Sequence, residues 1–266
     1  MGLTAQRPVL VKLGGSLITD KSRPYTPRGE VIERLCAEVH QARVGQPLPL
    51  VLGHGGGSFP HVSASEHRTA EGVVDRRSWR GFVKVHQDAA RLNHIVCEAL
   101  AAAGELPMPV QPSAACVARG KRIERWDPAP LADYLAAGLI PVPYGDVSVD
   151  LQQGCCILST EELFRHLCAA LRPAAVLLVG KVDGVLDSDG ELVPRISADN
   201  FDALRRALSA SDGLADVTGG MVHKVERAME MGAPVRIING LVPGRLHEAL
   251  TGQEVVGTEV VGPPPA

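Results

Sequence analysis

Residues 8–16 read P-V-L-V-K-L-G-G-S and contain the pattern that decides the fold. The apolar run Pro8–Leu13 is short and rich in valine and leucine, which is typical of a strand buried in a sheet. Gly14 and Gly15 follow at once and indicate a tight turn. Lys12 interrupts the run, and a cation in a buried strand is unfavourable unless an anion meets it. The stretch therefore predicts a buried strand that ends beside an anion.

The same arrangement of an apolar run and a glycine turn recurs further along the chain. Leu48–Leu52 (LPLVL) leads into Gly53–Ser58 (GHGGGS), and a third turn, Thr218–Met221 (TGGM), opens a helix that carries Lys224. Ligands of parallel sheets bind beyond the carboxyl ends of the strands, where glycines let backbone N–H groups approach an anion. Helix N-termini add a positive dipole there. Together the three turns predict a phosphate-binding site.

Strand and helix signals alternate along the rest of the chain. The pattern predicts a helix opened by Thr26 and Pro27, a long helix from Trp79 to Gly104, and a helix capped by Ser159 with Glu162. It also predicts a β-hairpin within 146–156, a second hairpin turn at Asp189-Gly190, and a loop over 216–220. This alternation indicates an α/β fold with a mostly parallel sheet covered on both faces. We expect one domain over residues 1–266, with short flexible ends at about 1–7 and 262–266.

Composition excludes several classes of function. The 266 residues carry a net charge of −3 and only 3% aromatic side chains, which argues against a nucleic-acid partner. No apolar run is long enough to span a membrane, and the N-terminus lacks the layout of a signal peptide. The six cysteines form no C-x-x-C pair, which favours reduced thiols in the cytoplasm. The nine histidines show no H-E-x-x-H spacing, so we expect no protein-held metal.

Three lysines accompany the glycine turns and indicate phosphoryl transfer. Lys12, Lys21 and Lys224 each lie in or beside one of them. Positioned cations and N–H groups stabilise the negative charge of a transferred phosphoryl group. The sequence has neither G-x-x-x-x-G-K-[ST] nor G-x-G-x-x-G after a strand, so a P-loop enzyme and a dinucleotide-binding fold are both unsupported. For Lys21 alone, a solvated surface side chain is the alternative interpretation.

The ordered motifs resemble the amino acid kinase superfamily. These motifs are V-K-L-G-G-S, G-H-G-G-G-S-F-x-H, V-D-G-V and D-V-T-G-G-M-x-x-K. Within the superfamily the chain is most similar to the isopentenyl phosphate kinases. The marks of that subgroup are Asp20-Lys21, His61, Gln111-Pro112-Ser113 and Gly145-Asp146. The resemblance extends from Val9 to about Val261.

The resemblance implies an open αβα sandwich that forms a homodimer. It also implies a reaction, the transfer of a phosphoryl group from ATP, with Mg²⁺, to isopentenyl phosphate. This reaction belongs to an alternative mevalonate route to isoprenoids.

The resemblance also implies roles for individual residues. It implies catalytic roles for Lys12, Lys21, His61 and Lys224. The residues that it places on the nucleotide side are Lys12, Gly14, Gly15, Ser16, Gly57, Asp183, Gly219 and Lys224. It places Gly56, His61 and Thr160 at the acceptor phosphate. From helical spacing we also expect Phe82 and Val85 to wall the prenyl tail, with ordinary core packing as the alternative.

The chain departs from the family pattern at three places. Thr160 replaces a usual glycine, Gly180-Lys181 replaces a frequent Thr-Asp, and Pro60 stands where glycine is common. Other acceptors stay open, namely a carboxylate, a nucleoside monophosphate, or a phosphonate antibiotic of the fosfomycin type. His61 disfavours the carboxylate acceptors. A nucleotide-binding protein without turnover is the alternative from another class, and the three lysines argue against it. His61 itself could instead be a structural residue that caps a helix.

Overall fold

A six-stranded sheet forms the centre of the computed structural model, which describes residues 6–46, 48–210 and 215–262, and of these the side chains outside 207–220. The described residues contain fourteen strands: β1 (Val9–Leu13), β2 (Leu50–His54), β3 (Pro107–Val110), β4 (Val117–Arg119), β5 (Arg122–Arg125), β6 (Ile140–Pro143), β7 (Asp146–Asp150), β8 (Gly154–Leu158), β9 (Ala175–Gly180), β10 (Val185–Leu186), β11 (Leu192–Val193), β12 (Arg195–Ile196), β13 (Val235–Asn239) and β14 (Gly257–Val260).

Helices connect most of these strands. In chain order they are α1 (Gly15–Ile18), α2 (Gly29–Arg43), α3 (Pro60–Glu66), α4 (Ser78–Ala102), α5 (Pro112–Ala115), α6 (Ala129–Ala136), α7 (Thr160–Leu171), α8 (Ala198–Ala210), α9 (Ala215–Met229) and α10 (Arg245–Leu250). A short 3-10 helix, Thr69–Glu71, lies between α3 and α4.

The central sheet has the strand order β12-β14-β13-β9-β1-β2. Every neighbouring pair in it is parallel except β13 and β14. The last residue of β1, Leu13, lies opposite His54 of β2 and Val179 of β9. Because parallel strands end at the same edge, the glycine turns after β1 and β2 are brought side by side.

Alternate residues of β1 enter two separate hydrophobic cores, one on each face of the sheet. Leu10 belongs to the core that contains Phe164 of α7 and Val225 of α9, whereas Val11 belongs to the core that contains Leu35 of α2 and Leu92 of α4. Successive side chains of a strand point to opposite faces, so a strand buried on both sides must be apolar throughout. The prediction of a mostly parallel sheet with helices on both faces is confirmed.

A second sheet lies beside the carboxyl edge of the central one and has the order β5-β4-β7-β8. β7 and β8 pair antiparallel, which confirms the hairpin predicted within 146–156. β10 and β11 likewise form the hairpin predicted around Asp189-Gly190. A further parallel pair, β3 and β6, is joined to the edge strand β2 through the bridge between His54 and Tyr144.

The structure corrects two predicted boundaries. The helix expected to open at Thr26 and Pro27 begins instead at Gly29, because Pro27 pairs with Thr19 in an isolated bridge and the Thr26 carbonyl accepts from the Asp20 N–H. The loop expected over 216–220 falls within α9, which starts at Ala215.

The ends predicted to be flexible fall mostly outside the described residues, which omit 1–5 and 263–266. Within the predicted N-terminal end, the Arg7 side chain is held in place. It donates to the carbonyl of Arg172 at 2.7 Å and to that of Pro173 at 2.7 Å. Arg7, which lies within that predicted end, is therefore anchored to the backbone that follows α7.

Within the described ranges, no helix combines the length and the apolar character that a membrane crossing requires. The longest, α4, has 25 residues and alternates buried with exposed positions along its length. All six cysteines are free and buried.

Candidate active site

A cavity of about 280 Å³ opens at the carboxyl edge of the central sheet, where β1 and β2 end. The two strands bring the first two glycine turns to one wall, and α7 begins at the opposite wall. The residues around it are Lys12, Gly14, Gly15, Ser16, Lys21, Gly55, Gly56, Gly57, Pro60, His61, Ala64, Gly145, Ile157, Leu158, Ser159, Thr160, Glu161 and Lys224. Ten of the twelve residues expected to be catalytic or to contact a phosphate are among them. Of the other two, Asp183 lies elsewhere, and Gly219 falls in the stretch 207–220 whose side chains the structure does not describe.

The two glycine turns are packed against each other so closely that side chains are excluded. A Cβ on Gly15 would lie 2.3 Å from the Gly57 nitrogen. Gly57 has a φ of +55°, and a Cβ there would lie 2.0 Å from the Thr19 hydroxyl oxygen. Buried Thr19 joins the turns, because its hydroxyl donates to the Gly15 carbonyl at 2.7 Å and accepts from the Ser58 N–H at 2.9 Å. The glycines therefore serve close backbone approach as well as access to a ligand.

Lys12 meets its anion inside the protein. Its side chain shares a strand face with Leu10, on the side of the sheet that α7 covers, and its ammonium donates to the Glu161 carboxylate in the first turn of α7. Lys12 is 9% exposed. Burial alone would raise the pKa of the Glu161 carboxyl, but the charge and hydrogen bond of Lys12 hold that pKa below its usual range. The Glu161 carboxyl is therefore ionised at neutral pH.

The N-terminus of α7 forms the second wall of the cavity. Ser159 is its N-cap, and its hydroxyl accepts from the Glu162 N–H at 3.2 Å, as the capping pattern predicts. The first N–H groups of a helix have no partner within it and carry the positive end of its dipole. The hydroxyl of Thr160 is already used, since it donates to the His54 carbonyl at 2.6 Å. Thr160 can thus offer an acceptor its backbone N–H, which the family's glycine would offer as well.

His61 and Lys21 stand together at the rim of the cavity. Both are exposed, and both also line a neighbouring cavity of about 220 Å³, to which Gly57 contributes as well. Partial desolvation and the nearby charge of Lys21 lower the pKa of His61. Its imidazole is therefore neutral at pH 7 and carries one N–H that can donate to an anion.

Lys224 reaches the same cavity from α9. Desolvation, followed by repulsion from Lys12, lowers its pKa, and Lys21 adds to the repulsion. Three ammonium groups around one small cavity repel one another and favour the binding of an anion between them. Among the described residues, Glu161 is the only carboxylate in the lining, so the site keeps two positive charges in excess.

Asp183 lies apart from this cavity, beyond the ends of β9 and β13. Its carboxylate accepts from the Arg245 guanidinium and from Asn239 at 3.4 Å. Parallel strands of one sheet end at the same edge, so Asp183, which follows β9, stands at the same edge as the cavity. β1 lies between β9 and β2 in that sheet. Gly219, the remaining residue predicted on the nucleotide side, lies within α9, in the stretch 207–220 whose surroundings the structure does not describe.

Phe82 and Val85 do not line the cavity. Val85 is fully buried on α4, and the ring of Phe82 packs edge-on against Trp79, with 5.5 Å between the ring centres. Val85 is thus buried, whereas Phe82 is half-buried against the exposed Trp79. Their role toward a prenyl tail stays a prediction.

The sequence analysis predicts no role in the site for several residues that the structure brings there, among them Glu161, Thr19 and Gly145. The sequence did contain a pattern that points to Glu161. Lys12 lies in an apolar strand and needs an anion, and Glu161 is an acidic residue in the first turn of a predicted helix. No such pattern points to Thr19, since its role depends on the contact between two turns.

Comparisons with known proteins identify what the chain is similar to. The model of the amino acid kinase family matches residues 7–239. An isopentenyl phosphate kinase from Methanothermobacter thermautotrophicus is 35% identical, covering 96% of this chain and 99% of the relative. A solved isopentenyl phosphate kinase superposes with a TM-score of 0.79 at 31% identity, over 95% of this chain and 99% of that one. An acetylglutamate kinase from Moritella profunda is 25% identical over 98% of each chain.

Proposed function

Because the chain belongs to the amino acid kinase family, we propose that it is a phosphotransferase that moves the terminal phosphoryl group of ATP to isopentenyl phosphate, which yields ADP and isopentenyl diphosphate. The observation that carries the proposal is the charge of the cavity. Three lysines face it, and its single described carboxylate is already paired with Lys12. Such a cavity suits two anionic substrates, whose mutual repulsion must be neutralised before they can react.

The acceptor supports a reaction without a strong general base. The second pKa of a phosphate monoester is about 6, so its oxygen is already ionised near pH 7. The protein must therefore position the two substrates and neutralise their negative charges. His61 donates its N–H to the acceptor phosphate, and Lys21 beside it balances the charge. The backbone N–H groups of the second glycine turn, around Gly56, complete the cradle.

The transfer itself is a displacement at phosphorus. An oxygen of the acceptor phosphate forms a bond to the terminal phosphorus of ATP, and the bond from that phosphorus to the bridging oxygen breaks, so that ADP leaves with the electron pair. Lys12 and Lys224 stabilise the charge spread over the transferred group. Glu161 holds the Lys12 ammonium in position through its carboxylate. The first turn, Gly14–Ser16, and Gly57 lie against the donor phosphates.

The prenyl tail needs an apolar wall, which the same cavity offers. Pro60, Ala64 and Ile157 line it beside His61. Burying a five-carbon tail against them contributes about 0.8 kcal/mol per methylene removed from water. The tail thus adds affinity and selects a prenyl phosphate over a bare phosphate.

ATP enters as its magnesium complex, with the metal carried by the nucleotide phosphates. The described residues hold no cluster of histidine, cysteine and acidic side chains that could bind a metal. Glu161, the one described carboxylate of the cavity, is occupied by Lys12. These residues do not fit a metal site of the protein's own. Mg²⁺ usually keeps several waters and is held through substrate phosphates, which agrees with this assignment.

Four further properties belong to the proposal. The whole chain acts as one domain of the family, and it assembles as a homodimer. It works in the cytoplasm, which agrees with six buried cysteines that are all free. Asp183 and Gly219 contribute to the nucleotide side.

The proposal is tested by an acceptor panel assayed with one enzyme stock and a fixed concentration of magnesium and ATP. ADP release is measured with isopentenyl phosphate, fosfomycin, acetylglutamate and a nucleoside monophosphate. We expect the highest kcat/KM with isopentenyl phosphate. A higher value with fosfomycin or acetylglutamate would reassign the acceptor. ADP release with none of them would favour a binding protein.

A further inference from the structure

Lys21 lies on a loop that connects α1 to α2 and is closed at its base. The base consists of the bridge between Thr19 and Pro27 and a hydrogen bond of 2.9 Å from the Asp20 N–H to the Thr26 carbonyl. At the tip, the Asp20 carboxylate accepts from the N–H of Ser22 at 2.9 Å and from its hydroxyl at 2.7 Å. Lys21 itself is exposed, so its own contacts do not determine where its ammonium points.

One residue of this loop has a backbone conformation that its side chain disfavours. Tyr25 has a φ of 54°, in the left-handed region that a residue with a Cβ rarely adopts. The chain turns there from the tip of the loop back toward the second glycine turn. The N–H of Tyr25 donates to the Ser58 carbonyl at 3.2 Å, and the N–H of Thr26 donates to the Ser58 hydroxyl at 3.3 Å.

The Tyr25 side chain is held from three directions. Its ring packs edge-on against the buried ring of Phe59, with 5.9 Å between centres and an interplanar angle of 89°. Its hydroxyl donates to the Asp88 carboxylate at 3.2 Å, and the Lys84 ammonium lies 5.2 Å above its ring. Asp88 is buried and also accepts from Lys84 one turn away on α4. A disfavoured backbone conformation persists only where such contacts over-determine it.

We propose that Tyr25 is the positioning residue for Lys21: it fastens the loop that carries this lysine to α4 and to the second glycine turn. The inference rests on the proposed function, in which Lys21 neutralises the acceptor. Phe59 immediately precedes α3, which carries His61, so the same contact ties the Lys21 loop to the element that carries His61. The two groups that receive the acceptor phosphate are thereby kept at a constant separation.

A double-mutant cycle tests this coupling. Tyr25→Gly relieves the backbone strain but releases the loop, and we expect kcat to fall by about 10²-fold, the loss typical of a misplaced catalytic group. Tyr25→Phe keeps the ring and removes one hydrogen bond, so it should lose only about threefold to tenfold. Arg172→Gly is the matched control, because Arg172 also has a left-handed backbone, with φ 45°, at the far end of α7. It should leave kcat unchanged.

The decisive comparison is made in the Lys21→Ala background. If Tyr25 acts through Lys21, adding Tyr25→Gly to Lys21→Ala should lower kcat by no more than about a further twofold. An equal loss in both backgrounds would show a merely structural role and would overturn the inference. The cycle uses whichever acceptor of the panel supports ADP release, so a wrong acceptor contradicts the proposed function without affecting this test.

Hydrogen exchange supplies a readout that needs no turnover. Tyr25→Gly should increase amide exchange in residues 19–28 relative to the wild-type protein. Exchange within α7 should stay unchanged. Unaltered exchange in 19–28 would contradict the fastening of the loop by Tyr25, whatever the enzyme phosphorylates.

Discussion

The ammonium of Lys12 contacts the carboxylate of Glu161 where the first strand of the central sheet ends and α7 begins. The two side chains are 11% and 14% exposed, and their residues lie 149 positions apart in the chain. Lys12 is thus buried as one half of an ion pair and also faces the cavity that receives the phosphates. The same ammonium thus belongs both to a buried ion pair and to the lining of the cavity, so this pair links folding stability to the proposed catalysis.

Replacing Glu161 by glutamine should destabilise the free protein. Removing one partner of a buried pair leaves the other charge uncompensated, and we expect the free energy of unfolding to fall by about 2–3 kcal/mol. Chemical denaturation at neutral pH measures this loss. Glu124→Gln is the control, because Glu124 pairs with Arg119 at the surface and should contribute less than about 1 kcal/mol.

The stability loss of Glu161→Gln should also depend on pH. The folded protein holds the pKa of Glu161 below its usual value, so the stabilisation is fully present above that usual value. It is lost as the pH falls through the folded-state pKa. The difference between wild type and Glu161→Gln should therefore shrink under acidic conditions, and a constant difference would contradict the ion pair.

Lys224→Ala should lower kcat by about 10³–10⁵-fold without unfolding the protein, the loss found when a comparable cation is removed from other phosphoryl-transfer enzymes. Lys12→Ala should do the same. His223→Ala is the control for Lys224, because the neighbouring His223 is exposed and bonded to Glu226 within α9. A folded Lys224→Ala variant with near-normal kcat would remove Lys224 from the mechanism.

The pH profile should show the ionisation of Lys224. Desolvation and the charge of Lys12 lower its pKa, so the free enzyme loses this cation at a lower pH than an ordinary lysine would. kcat/KM for ATP reports the free enzyme and should fall as the pH rises through that value. Lys224→Arg places a guanidinium there, whose pKa is higher than that of a lysine, and should move the fall to higher pH. If kcat/KM for ATP falls at the same alkaline pH in Lys224→Arg as in wild type, the fall reports the ionisation of another group.

Gly57→Ala should disrupt the contact between the two glycine turns. The added Cβ would clash with the Thr19 hydroxyl. Alanine would also be strained by the left-handed backbone conformation that Gly57 adopts. Gly190 shares that backbone conformation, with φ +82°, but a Cβ there meets nothing within 4 Å. Gly190→Ala should therefore lose about 1–2 kcal/mol of stability, and Gly57→Ala about 1–3 kcal/mol more together with activity. If thermal unfolding shows equal losses of stability for Gly57→Ala and Gly190→Ala, the predicted clash with Thr19 is contradicted.

His61→Ala should lower kcat/KM for isopentenyl phosphate by about tenfold to a hundredfold, because a charge-assisted hydrogen bond contributes about 1.5–3 kcal/mol. KM for ATP should change little. His61→Gln keeps an N–H donor and should retain more activity. His94→Ala, at an exposed position of α4, controls for the loss of a surface imidazole. If His61→Ala equals wild type toward the acceptor, His61 is structural.

The parts of the site that lie next to glycine turns could be predicted from sequence. Lys12 lies two residues before Gly14 and His61 lies four residues after Gly57. A turn after a buried strand determines the edge of the sheet at which they stand. The parallel sheet followed from the same apolar runs. The predicted role of Ser159 as a helix cap was confirmed for the same reason, since capping is a local interaction.

Contacts between distant segments could not be predicted in this way. Glu161 has a local role in its helix, and only the packing of α7 on β1 brings it to Lys12. The spacing of Phe82 and Val85 identified a face of α4, but periodicity does not say what a face packs against. Thr26 and Pro27 read as a helix start, whereas the chain first closes the loop that carries Lys21.

The most direct test of phosphoryl transfer to isopentenyl phosphate is phosphorus-31 NMR of the wild-type reaction with ATP and magnesium. We predict that the single resonance of isopentenyl phosphate is replaced by two mutually coupled resonances of a diphosphate, in step with the formation of ADP. The same reaction with Lys12→Ala should leave the acceptor resonance unchanged over the same time. ADP and inorganic phosphate with an intact isopentenyl phosphate resonance, or no reaction at all, would contradict the account.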